Sequence, residues 1–202
     1  MKIAGKFVKI REKQKGLSLI EMTIAIAILV VALLSALILA TLGLMAGEES
    51  EMRIVAINLA REGVEVVRNT RDSNWLKCGE ACWLEGDAGP KDNILLRNSV
   101  PVFDVDLTDK IWRLQSVTGF DPSDPSSAGG SDTNIVLNPT YGLYLQKKTG
   151  DSTNFYRFIK VDDETVDSRL GDDEIRVTSY VAYQERGRWH LVNVEDHLFN
   201  WY

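Results

Sequence analysis

The stretch Lys15-Gly16-Leu17-Ser18-Leu19-Ile20-Glu21 decides the fold, because the chain is opposite in character on its two sides. Upstream, residues 1–16 carry Lys2, Lys6, Lys9, Arg11, Lys13 and Lys15 against Glu12 alone. Downstream, the 26 residues from Met22 to Gly47 include no charged side chain, and most are Ile, Leu, Val or Ala. About 20 apolar residues suffice to carry a helix across a bilayer core. Lipid offers no partner for an unpaired backbone group, so a helix is required there. The positive-inside rule keeps the basic leader in the cytoplasm and sends Glu48 onward to the far side. A removable secretory signal begins in the same way. This run is far longer than the apolar region of such a signal, and neither Ser35-Ala36 nor Ala46-Gly47 makes a convincing cleavage site.

Glu21 stands at the start of the run, where a charge moved to the bilayer centre would cost about 2.5–3.5 kcal/mol. One reading leaves it hydrated at the interface. A sharper one takes in what precedes it: a basic leader ends in Gly16, an apolar Leu17 follows, and Glu21 is fifth counting from Leu17. This arrangement resembles the type IV prepilin cleavage and methylation motif, closely over residues 9–46 and as a general architecture to residue 72. The resemblance implies a prepilin peptidase that cuts between Gly16 and Leu17 and then N-methylates Leu17. It also implies a subunit-assembly role for Glu21, whose carboxylate would neutralise the new ammonium of a neighbour. Cutting before the helix discards the leader and keeps the anchor. Two departures stand out. Leu17 replaces the usual Phe, and no Pro precedes Pro90, so any loosening of the helix is expected at Gly43 or Gly47.

Residues 48–72 keep helical spacing, with Met52, Val55, Ala56, Leu59, Ala60, Gly63, Val66 and Val67 on one stripe and Arg61, Glu65 and Arg68 opposite. Together with the apolar run this makes roughly 54 residues of helix, about 80 Å long. The stripe is read as packing on the protein's own sheet. Ile54, Ile57 and Val64 fall off it and are candidates for contact with neighbouring subunits.

After Asp72 the pattern changes. Residues 73–93 read as irregular, and strand-like runs follow at 94–97, 100–105, 111–117, 141–147 and 154–161. Ile175, Val177, Val181 and Tyr183 alternate with polar residues, and Glu185-Arg186-Gly187-Arg188 turns the chain into Trp189–Val194 as a hairpin. Residues 121–134 read as a mobile loop rich in Ser, Gly and Pro. The expected fold is therefore α+β, a long N-terminal helix packed on a C-terminal antiparallel β-sheet head. Its parts are a leader (1–16), a transmembrane half-helix (17–47), an amphipathic half-helix (48–72) and a β-rich head (73–202).

With the head exported, Cys78 and Cys82 are expected to form a disulfide across a five-residue ring, reduced thiols being the alternative. No zinc site fits two cysteines. Some pseudopilins that resemble this chain bind calcium. The acid pairs Asp104 and Asp106, Asp162–Glu164 and Asp172–Glu174 lack EF-hand spacing, however, and read as solvated loop acids. No cofactor is expected. Without its leader the chain carries 17 basic and 28 acidic side chains, net −11, which gives the head no call on nucleic acid. His190 and His197 are the only histidines, and no catalytic signature accompanies them, so no enzyme is expected. The resemblance implies a structural subunit, major or minor, of a pilus-like filament or a secretion pseudopilus. Its partners would be like subunits, the peptidase, and a membrane platform driven by a separate ATPase. The subunit would rest in the inner membrane, leader cytoplasmic and head exoplasmic, before joining a surface or periplasmic filament. A permanent single-pass membrane protein with an exoplasmic binding or sensor domain is the competing class; it would need neither the Gly16–Leu17 junction nor Glu21.

Overall fold

A computed structural model describes residues 18–78, 83–84, 98–103, 112–130, 133–138, 143–146, 151–162 and 174–200. It holds one long helix, α1 (Leu19–Cys78), and seven strands: β1 (Asn98–Phe103), β2 (Trp112–Ser116), β3 (Asn134–Asn138), β4 (Leu143–Gln146), β5 (Asp151–Asp162), β6 (Glu174–Glu185) and β7 (Arg188–Phe199). The chain divides into two compact units, residues 1–48 and 49–202.

In the first unit every described side chain is exposed, Leu, Ile and Val included, as suits a helix whose solvent is lipid. The three hydroxyls of the charge-free run turn inward on the helix backbone. Thr23 donates to the Ile20 carbonyl, Ser35 to Val31 and Thr41 to Ile38, each at 2.8 Å, so none asks hydrocarbon for a hydrogen bond. The helix runs unbroken through Gly43 and Gly47, the places where any loosening was expected to fall.

In the second unit the helix lies on an antiparallel sheet. β5 is the central strand: β6 covers one edge, with β7 beyond it. On the other edge β3 pairs with the first half of β5 and β1 with the second, and these carry β4 and β2 outward. One core gathers Val64, Val66 and Val67 of the helix with Leu114, Ile159, Val161, Ile175, Val177 and Leu198. A second sets Ala56, Leu59 and Ala60 against Ile135, Phe155, Val181 and Tyr183. Small residues at 56, 60 and 63 let the backbones approach, and a Cβ added at Gly63 would overlap the Ser179 Oγ.

Three expectations change. The helix ends at Cys78 rather than Asp72. Arg71 and Asn74 are buried and Trp75 packs against the first core, so tertiary contact carries the helix past residues that favour a stop. Of the segment read as a mobile loop, residues 121–130 are organised. Two successive Asp-Pro-Ser units make Asx turns in which Asp121 accepts from the Ser123 amide and hydroxyl (2.8 and 2.7 Å) and Asp124 accepts from those of Ser126 (3.1 and 2.6 Å). A 3-10 turn follows at Pro125–Gly130, and Phe120 packs on Phe158 with ring centres 4.7 Å apart, on the sheet face away from the helix. Finally, β3 begins at Asn134, where the loop was expected to end, and residues 94–97 lie outside the described residues.

Candidate functional site

Gly16 and Leu17 lie outside the described residues, and the site is legible from Ser18 on. Leu19 is the first helical residue, and the Ser18 carbonyl accepts the first helical bond, from the Met22 amide at 3.1 Å. Ser18 therefore occupies the N-cap and Glu21 the third helical position, the spacing of a capping box. The Glu21 side chain is exposed in the first turn, where unpaired amides and the helix dipole favour negative charge. Only Leu17 separates the Gly16 carbonyl from that cap.

Of the helix residues nominated for contact with neighbours, Ile54 is 57% exposed and keeps that standing. Ile57 is half-buried. Val64 is a correction: it is only 4% exposed and belongs to the first core, because the curled sheet wraps a wider arc of helix than the stripe alone implied. Arg68, placed opposite the stripe, turns to β7 and donates to Asp196 at 2.6 Å, while also pairing with Glu65. Those carboxylates, Asp196 first, hold its guanidinium above the ordinary range.

Sequence reasoning missed the junction of helix and sheet. Arg157 of β5 is wholly buried. Its Nη1 donates to the Leu59 carbonyl at 3.1 Å and the Glu62 carboxylate at 2.6 Å, and its Nε to the Gln146 side-chain oxygen at 3.0 Å. Gln146 in turn donates to the Thr133 and Arg157 carbonyls, both at 2.9 Å. The guanidinium also lies 5.9 Å from the Trp112 ring centre. Burial pushes the guanidinium below its ordinary value and Glu62 opposes this, yet an arginine so placed stays charged near neutrality. Among the described residues its Nη2 and the Ser99 and Ser179 hydroxyls lack partners.

The acids nominated for calcium are otherwise engaged or outside view. Asp104, Asp106, Glu164 and Asp172 lie outside the described residues. Asp162 is buried and holds Lys160 and Arg176 at 3.0 and 2.9 Å. Glu174 accepts from His197 Nδ1 at 2.5 Å, and Glu195 lies 3.6 Å from Nε2. That arrangement, the Glu174 bond foremost, raises the His197 pKa. His190 stacks on Tyr183 with ring centres 5.0 Å apart. No group of three potential metal ligands occurs among the described residues. Cys78 closes the helix; its side chain and Cys82 lie outside the described residues.

One long apolar N-terminal helix and a curled antiparallel sheet in the C-terminal part make this an α+β, pilin-like arrangement. The chain matches the prokaryotic N-terminal methylation motif over residues 11–37, the leader signature of type IV pilins and pseudopilins. That match supports a pilin- or pseudopilin-like precursor, and with the long apolar helix it supports the prepilin peptidase cleavage, N-methylation and transmembrane features of that class. Proteins with this motif are structural, not catalytic, are anchored in a membrane, and assemble with other pilins. No curated protein and no solved structure matches the chain at a significant level.

Proposed function

We propose that the chain is a structural subunit of a type IV pilus-like filament or a secretion pseudopilus, trimmed between Gly16 and Leu17 and methylated at Leu17. The observation that carries this reading is the position of Glu21, in the first turn of a helix whose apolar half is uncovered by any of the described residues of its own unit. Trimming would create an ammonium one residue before the Ser18 cap, at the helix end that disfavours positive charge. The Glu21 carboxylate of a neighbour compensates it, and the pairing sets the register between subunits. In this reading residues 1–16 are the cytoplasmic leader, 17–47 the membrane half of the helix, 48–72 its exoplasmic half, and 73–202 the head. The peptidase, an assembly platform with its ATPase, and like subunits are the partners, and the filament forms beyond the inner membrane. Cys78 and Cys82 pair to close the turn after the helix, and no cofactor takes part.

Intact mass and N-terminal sequence of the protein from its own membranes test this. A chain that begins at methylated Leu17, with its cysteines two hydrogens lighter, supports processing and the disulfide together. A chain that still begins at Met1 beside an active peptidase favours the permanently anchored receptor.

A further inference from the structure

The β6–β7 hairpin turns through Arg186 and Gly187, whose φ values are +49° and +78°. Positive φ at both central residues is the type I′ turn that fits the twist of the flanking strands. Gly187 meets it freely. Arg186 does not, for Asn, Asp or Gly is the usual residue there, and a long side chain in the left-handed region works against its own backbone. The turn thus holds an exposed arginine at its tip where the backbone would prefer another residue.

Charge around the tip is equally unexpected. Arg186, Arg188 and His190 line a cleft of about 370 Å³ with Glu49 and Glu185. Arg53 and Tyr183 line an adjoining hollow of about 250 Å³ with Glu49 and His190. Arginines 53, 186 and 188 thus gather around two carboxylates in a body that otherwise carries net negative charge. Glu49 is the second residue after the charge-free run. With that run in a bilayer, chain connectivity alone keeps Glu49, and with it the cleft it lines, within about 7 Å of the end of the apolar segment. Arginine pairs with phosphate through two parallel hydrogen bonds, and tyrosine suits the headgroup layer.

We propose that Arg53, Arg186 and Arg188 form a site for the phosphates of anionic lipid headgroups, which seats the hairpin tip on the membrane while the subunit is anchored there. This rests on the anchoring helix and not on the filament role. A lipid surface is favoured over the acidic Glu48–Glu51 segment of a second copy, because Glu49 of the cleft follows the membrane-length run by two residues and paired guanidinium hydrogen bonds match phosphate.

The test uses the full chain reconstituted in vesicles of phosphatidylcholine alone or with a minority of phosphatidylglycerol. Hydrogen exchange at residues 184–190 is read beside vesicle flotation. The expected result is exchange several-fold slower in the anionic vesicles, with the difference abolished by high salt and by Arg186→Asn combined with Arg188→Gln. Arg186→Asn restores the favoured Asn-Gly turn, so its melting temperature holds or rises and a folding defect cannot mimic the loss. Equal exchange in both vesicles, or unchanged exchange in the double variant, overturns the proposal alone. Protection that follows the number of protein copies per vesicle instead of the lipid overturns it in favour of a second copy. A chain that does not float with vesicles overturns the anchor and this site together.

Discussion

The Arg157 guanidinium, wholly buried in the central strand, lies 2.6 Å from the Glu62 carboxylate on the helix, so the ion pair joins residues 95 positions apart. A buried charge deprived of its partner costs more than a charge removed together with the need for one. Glu62 is the wetter member, its side chain 37% exposed, so it tolerates solitude better than Arg157 does. Glu62→Ala is therefore expected to destabilise by about 3–5 kcal/mol, toward the lower end because Leu59 and Gln146 still accept from Arg157. Arg157→Met should cost less. Chemical unfolding of the full chain in detergent compares the two, and the reverse order would show that the pair contributes little.

Gly63 and Ser179 make a second, tighter approach of helix to sheet. Gly63→Ala should cost about 1–3 kcal/mol by overpacking, despite the better helix propensity of alanine. The Ser179 hydroxyl has no partner among the described residues, so Ser179→Ala alone should be near neutral. The double variant should recover most of the loss. Strict additivity of the two would count against a clash.

His197 gives the head a pH dependence of defined sign. Its folded pKa is raised, chiefly by the hydrogen bond to Glu174. The contribution is therefore complete below the unfolded value of about 6.5 and is lost as pH rises through the folded value. The ring is exposed, so the effect is small. Melting temperature against pH should fall over this window in the wild type and more shallowly in His197→Gln.

Ile54 is exposed on the helix, uncovered by any of the described residues. Ile54→Gln should leave stability within about 0.5 kcal/mol. If the residue meets a neighbouring subunit, the variant will be processed normally yet found in reduced amount in filaments sheared from cells. Normal filament yield would assign Ile54 to solvent.

The fold was legible where one residue type repeats at a fixed period. The charge-free run, the helix stripe from Met52 to Val67 and the alternation of β6 each report their burial locally, and the hairpin turn at Arg186-Gly187 stands where Glu185 and Arg188 pair. What escaped depends on distant partners. Arg157 sits in a run correctly read as strand, but nothing near it announces that Glu62 and Gln146 will enclose it. Val64 looks solvent-facing until the curled sheet reaches round to it, and α1 outlasts its own stop signals because Trp75 finds the core. The arginines of the hairpin tip are equally unreadable as a cluster, since Arg53 arrives there from another element.

The grip of Arg157 on the helix has a mechanical meaning. The strand that holds it is flanked by β6 on one edge and by β1 and β3 on the other. Tension carried by the helix is thus handed to an inner strand that pairs with three others, more than any other strand among the described residues. An outer strand such as β2, β4 or β7 can fray under strain while the fastening itself stays closed.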